Sequence, residues 1–118
     1  IATFIRQRAC GYGLLSENKL AGYVGIFRSP ISSTSYDMGY FIDPAARGRG
    51  YVPQAVTALM AATEAQVPVS SFGLNIADDN AASQAVAAKL GFTRTNTTYY
   101  DTVLNCEERR YEKVVNVD

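Results

Sequence analysis

The sequence contains no histidine. That absence removes Ser-His and Cys-His nucleophilic mechanisms and most zinc sites. Only two cysteines are present, Cys10 and Cys106, and their separation fits no metal or redox motif. Two thiols do not make a disulfide framework, so the expectation is a reducing, cytoplasmic setting. No apolar run approaches the ~20 residues a membrane span needs. No signal-peptide pattern opens the chain, which starts at Ile1 rather than Met. Net charge is lacking too: eleven basic residues balance eleven acidic ones. No overall field therefore draws the chain to nucleic acid or to an anionic membrane. Neither an internal repeat nor a low-complexity segment divides the 118 residues, which suit one domain, 1–118.

The most informative stretch runs from Tyr40 through Phe41-Ile42-Asp43-Pro44-Ala45-Ala46-Arg47-Gly48-Arg49-Gly50-Tyr51-Val52 to Pro53. An apolar, aromatic strand breaks at Asp-Pro, passes through a basic loop with two glycines, and enters a helix. Such a loop can hold phosphate: glycines let the backbone come close, N–H groups point inward, and the helix dipole favours negative charge. The pattern is neither GxxxxGK[ST] nor GxGxxG, which argues against a nucleoside triphosphate or dinucleotide fold.

Patterning elsewhere predicts the order of elements. Ile1, Phe4 and Ile5 share a helical face, so Ile1 to Arg8 reads as the tail of a helix ended by Gly11. Tyr12 to Ser16, Leu20 to Arg28 and Ser35 to Ile42 read as an antiparallel meander, because each connection is too short for a crossover. Val52, Ala55, Val56, Leu59, Met60 and Thr63 follow a buried helical stripe to about Gln66, with Pro53 suited to its first turn. Phe72 to Ala77 is then a strand reached by a right-handed crossover. Asn80 to Leu90 is an alanine-rich helix capped by Asp79 or Asn80 and closed by Gly91. Phe92 to Leu104 and Arg109 to Val117 form a last hairpin around a turn at Asn105 to Glu108.

Two blocks carry a resemblance. Arg47-Gly48-Arg49-Gly50-Tyr51 resembles the pyrophosphate loop (Q/R-x-x-G-x-G/A) of the GNAT superfamily of acyl-CoA-dependent N-acyltransferases. Downstream, Asn80-Ala81-Ala82-Ser83 followed by Lys89-Leu90-Gly91-Phe92 is similar to the RimJ/RimL-like branch, the ribosomal-protein N-terminal acetyltransferases. The resemblance is dense from about Tyr36 to Phe92. It implies an α+β, three-layer GNAT fold: a mixed central sheet with helices on both faces, here with the N-terminal strand and first helix absent. It also implies acetyl-CoA as co-substrate, no metal, and direct acetyl transfer to a primary amine on a protein, peptide or small molecule.

The resemblance also assigns residues. Cofactor contacts fall on Tyr40, Phe41 and Ile42, through a bulge and splay of their strand, and on Arg47, Gly48, Arg49, Gly50, Tyr51, Val52, Asn80, Ser83 and Lys89. Asp37 stands where the branch carries a candidate base; it reads equally as a hydrogen-bonded Asp on a polar face. Ser83 is a candidate donor to the departing sulfur, and a helix-capping residue on the plainer reading. Val52 and Pro53 depart from the family pattern, since Val52 could crowd the phosphates and Pro53 has no N–H to donate. Tyr99 and Tyr100 read as packing, and Arg109-Arg110 as a solvated hairpin end.

The alternative reading is a catalytically weak or inactive CoA-binding or interaction module within a larger protein. The missing elements leave Tyr12 to Ser16 as a bare strand edge and leave Phe4 and Ile5 with little to cover. The expectation is a fragment of a longer chain, or self-association or a second chain along that edge. The acceptor is not legible.

Overall fold

Alternation along three strands decides which way the sheet faces. The structure, a computed structural model, describes residues 2–5 and 9–115, with side chains from Gly11 onward. Strands β1 (Ala2–Ile5), β2 (Ala9–Ser16), β3 (Lys19–Arg28) and β4 (Ser35–Ile42) precede helix α1 (Tyr51–Gln66). β5 (Ser71–Ala77), helix α2 (Ala81–Lys89), β6 (Thr93–Asp101) and β7 (Cys106–Val114) follow. The strands form one mixed sheet in the order β1-β2-β3-β4-β5-β7-β6, and only β4 and β5 pair in parallel. The helical crossover α1 is what makes that parallel pair possible.

Val24 and Ile26 on β3, Met38 on β4, and Phe72, Leu74 and Ile76 on β5 are buried at every second position. The registers Ile26↔Met38, Met38↔Leu74 and Leu74↔Tyr111 stack them into one apolar face. Helix α1 covers that face with Val52, Val56, Leu59 and Met60, and α2 adds Ala87 to the same cluster. Each larger side chain buried there contributes about 1.5–3 kcal/mol. Both described helices thus pack on one face, and no second helical layer is found among the described residues. The other face carries the partly exposed rings of Tyr23, Phe27 and Phe41.

Three expectations from the sequence need correction. The segment read as a helix tail, Ile1 to Arg8, contains β1, which pairs antiparallel with β2 from Ala2↔Tyr12 to Ile5↔Ala9. Ile1 and residues 6–8 lie outside the described residues, as do the side chains of Phe4 and Ile5. An i, i+3, i+4 coincidence over five residues is too short to establish a helix, and pairing with a neighbouring strand overrides it. The edge expected to be bare at Tyr12 to Ser16 belongs to a longer strand, and β1 lies along its Ala9–Tyr12 part. At the far end, the hairpin turn comes earlier than expected: β6 stops at Asp101 and β7 starts at Cys106, so Glu107 and Glu108 are strand residues. Asp101 Oδ1 accepts from the N–H groups of Val103 (2.8 Å) and Leu104 (3.0 Å), which turns the chain there. Asn116 and Val117, read as the end of the last strand, lie outside the described residues.

Candidate active site

The parallel pair β4–β5 does not run its full length. Paired positions extend from Ser35↔Ser71 to Met38↔Leu74 and stop, although β4 continues to Ile42 and β5 to Ala77. β4 stays paired with β3 throughout, up to Gly22↔Ile42. Asp43 N–H donates to Ala21 O at 2.7 Å, so odd-numbered backbone groups here point at β3. By the two-residue alternation of a strand, the N–H groups of Tyr40 and Ile42 point into the gap on the β5 side. This is the splay expected at Tyr40 to Ile42. It begins once pairing ends at Met38, and no bulge interrupts the β3–β4 register.

Above the gap the chain turns into α1. Asp43 Oδ1 accepts from Ala45 N–H at 2.9 Å and starts a short 3-10 turn, Pro44–Ala46. Gly50 caps α1 with φ 75°, a left-handed conformation, and no side chain caps the helix there. The first helical bond is Gln54 N–H to Gly50 O, at 3.3 Å. The N–H groups of Tyr51 and Val52 precede it and have no helical acceptor, so they are available to an anion at the positive end of the dipole. Pro53 lacks an N–H at a position where the helix would not use one.

Gap, loop and the start of α2 enclose a cavity of about 490 Å³. Its walls are Tyr40, Phe41 and Ile42 from β4; Ala46, Arg47, Gly48 and Gly50 from the loop; Tyr51, Val52 and Pro53 from α1; and Asn80, Ala82, Ser83 and Val86 around α2. Asn80 caps α2 by accepting from Ser83 N–H at 3.1 Å, which leaves the Ser83 hydroxyl at the cavity wall. The Tyr40 hydroxyl is buried on the same wall. Burial pushes it above the usual phenol range, the neighbouring Ser83 side chain offsets part of that rise, and no normal hydrogen bond closes on it.

Across the sheet, Asp37 is only 3% exposed and Arg110 1%. Arg110 Nη1 donates to Asp37 Oδ1 at 2.5 Å, and Asn75 Nδ2 lies 3.5 Å from Asp37 Oδ2. Gly73 makes room for the pair, since a Cβ at that position would overlap both the guanidinium and the carboxylate. Arg110 is thus a buried ion-pair residue, not the solvated hairpin residue its sequence context suggests.

The profile of the acetyltransferase (GNAT) domain matches residues 1–93. The chain belongs to the GNAT acetyltransferase family. No curated protein sequence matches it significantly. Similar solved structures include a Salmonella typhimurium acetyltransferase that modifies the N-terminal serine of ribosomal protein L7/L12 (TM-score 0.77, 24% identity, 94% of this chain and 66% of that one). A RimL ribosomal L7/L12 α-N-acetyltransferase with coenzyme A bound is similar at TM-score 0.79 and 24% identity, over 94% of this chain and 64% of that one. The microcin C7 self-immunity acetyltransferase MccE, in complex with acetyl-CoA and AMP, is similar at TM-score 0.77 and 21% identity, over 92% and 62%. At these identities the likeness shows the fold. This GNAT chain spans 62–66% of the length of those structures.

Of the residues the sequence nominates for the cofactor, ten line the cavity: Tyr40, Phe41, Ile42, Arg47, Gly48, Gly50, Tyr51, Val52, Asn80 and Ser83. Arg49 and Lys89 do not. Arg49 sits beside the Tyr51 hydroxyl, which bonds Ser16 Oγ at 2.8 Å; Ser16 and then Arg49 pull that phenol below its usual range. Lys89 closes the last turn of α2, at the opposite end of the helix from Ser83. Asp37 lies on the other face of the sheet. The sequence missed the Tyr40 hydroxyl and the Asp37–Arg110 pair, because each depends on which strands become neighbours.

Val52 also reads differently in three dimensions. It is 7% exposed and packs in the core under α1 while also bordering the cavity. Val52→Ala is expected to cost about 2 kcal/mol of stability and to leave acetyl-CoA affinity unimproved. Chemical denaturation and calorimetry together check this, and a tighter-binding variant of unchanged stability would contradict it. Among the described residues no group of three or more potential metal ligands occurs, and no helix is long and apolar enough to cross a membrane.

Proposed function

We propose that this GNAT domain transfers the acetyl group of acetyl-CoA directly to a primary amine. One observation carries the reading: a single cavity joins an uncapped helix N-terminus to the unpaired edge of a parted strand. The first suits a pyrophosphate, with Arg47 at hand for charge-assisted bonds. The second suits a pantetheine arm that pairs with backbone as an extra strand would, through Tyr40 and Ile42. The buried, unpartnered Tyr40 hydroxyl and the Ser83 hydroxyl stand where a sulfur would need donors. Acetyl-CoA supplies the thioester; the protein supplies binding, orientation and polarisation.

An N–H aimed into the gap can polarise the thioester carbonyl, in the manner of an oxyanion hole. Ser83 orients the sulfur and helps it leave; a thiol of pKa about 8.5 needs only modest help at neutral pH. We assign the cofactor contacts to the ten lining residues, with Arg49 and Lys89 kept for the outer phosphates. Asp37, with one oxygen committed to Arg110, is placed as an electrostatic and positioning group more than as a direct base. The free thiol Cys106 fits a reducing cytoplasm.

The likeness to L7/L12-modifying enzymes favours a protein or peptide α-amine over a small molecule. The deciding experiment measures acetyl-CoA binding by calorimetry and then thiol release with a panel of N-terminal peptides and small primary amines. Binding with turnover is expected. Binding without turnover on any amine would replace the enzyme by a CoA-binding module, and no binding would remove both.

A further inference from the structure

We propose that Glu108, on β7, is the general base that takes the proton from the acceptor amine; this rests on reading the cavity as the acetyl-CoA site. The argument begins with register. Glu108 pairs with Ala77 of β5 and with Tyr99 of β6. Arg110 and Glu108 are two residues apart on one strand, so their side chains share a face, and Arg110 reaches Asp37 on the face opposite the helices. Continuing the Met38↔Leu74 register sets Ala77 level with Phe41, between the two N–H groups that point into the gap. Glu108 therefore stands on the strand beside β5, about 5 Å from it in the pairing direction, with β5 between it and the gap and at the level where the thioester carbonyl would lie. Asp37 is level with Gly73, within the closed part of the pair, and bound to Arg110.

The surroundings suit a base. On its own strand and face Glu108 has Cys106 and Arg110, and Arg110 is engaged by Asp37. From β6 it meets Asp101 and Tyr99, and from β5 Ala77 and Asn75; Asp79, after β5, faces the neighbouring Cys106 thiol, which Glu108 and Asp101 also face. Arg109 projects to the other side and bonds Asp78. Among the described residues no cation pairs with Glu108. Burial pushes its carboxyl above the ordinary range and the neighbouring Asp101 carboxylate adds to the rise, which strengthens the ionised form as a proton acceptor. Asn75 Oδ1, at the start of the gap, is buried without a donor and offers an acceptor for a second amine N–H.

The step balances as follows. The amine reaches the site as an ammonium, and one N–H proton passes to the Glu108 carboxylate. The freed lone pair forms the C–N bond to the thioester carbonyl carbon as the C–S bond breaks. Sulfur leaves with that electron pair and takes a proton from solvent at the Ser83 side. A second N–H proton leaves to water as the neutral amide forms.

The test uses the whole chain, acetyl-CoA, and the best acceptor found for the wild type among N-terminal peptides and small amines. Glu108→Gln is expected to lower kcat about 100-fold or more at neutral pH, with acetyl-CoA affinity unchanged, and to abolish the acidic limb of the pH–rate profile. Asp101→Asn, which keeps the turn-capping oxygen, is expected to move that limb to lower pH; a purely structural role would not move it. Since the carboxyl is raised in the folded state, its ionisation disfavours the fold as pH rises, so Glu108→Gln should melt no lower than wild type. A wild-type chain that turns over amines while Glu108→Gln keeps its kcat and acidic limb overturns the proposal and leaves the acetyl-CoA reading standing. Acetyl-CoA binding with no turnover of any amine overturns the proposal too. Failure of the wild type to bind acetyl-CoA overturns the reading of the cavity itself.

Discussion

Replacing Arg110 by alanine is expected to cost about 3–5 kcal/mol of stability, because it leaves the Asp37 carboxylate buried and unpaired. A domain of this size has a total of roughly 5–15 kcal/mol, so the variant should melt more than about 10 °C lower. The geometry behind the expectation is specific. Arg110 is 1% exposed, its Nη1 meets Asp37 Oδ1, and Gly73 lies flat beneath both. The double variant Asp37→Ala with Arg110→Ala should recover a large part of the loss, since it removes the stranded charge along with its partner. Denaturant titration of the two singles and the double gives the coupling directly. If Arg110→Ala costs less than about 1 kcal/mol, which is the range of an exposed pair, the pair is solvated and its burial is wrong.

The second large effect concerns binding. Arg47→Ala together with Gly50→Val is expected to weaken acetyl-CoA at least about 100-fold, or roughly 3 kcal/mol. Arg47 lines the cavity and offers charge-assisted bonds, each of about 1.5–3 kcal/mol. Gly50 holds φ 75°, where a β-branched residue is a genuine outlier, so valine would pull the loop and the Tyr51 and Val52 N–H groups off line. The strain of about 1–3 kcal/mol is local to the start of α1, and circular dichroism should still report a folded chain. Calorimetry decides it: equal affinity in a folded double variant would remove the phosphate reading of this loop.

These expectations divide between what sequence order carries and what it does not. The chain order of strand, Gly-rich loop, helix, strand and capped helix was legible in residues 35–91, because each element leaves a local signature. Apolar spacing marks α1, Asn80 and Gly91 bracket α2, and the Asp43-Pro44 break with Gly48 and Gly50 announces a turn that only a flexible backbone can make. Ten nominated residues line one cavity because the loop runs straight into α1, and the crossover through α1 and β5 brings the start of α2, at Ala81, beside it. The short N-terminal segment misled, because five residues can satisfy a helical period and a strand equally well, and pairing with β2 made the choice. Arg110 misled for a deeper reason. It lies 73 residues from Asp37, and a basic pair next to two glutamates looks solvated until β7 is inserted between β5 and β6. That placement buries Arg110 against Asp37 and leaves Glu108 beside the end of β5, one strand beyond the gap between β4 and β5. Local residue types determined the elements and the glycine-rich loop; only the order of strands in the sheet decided which charges meet, because burial and charge pairing are properties of neighbours in space.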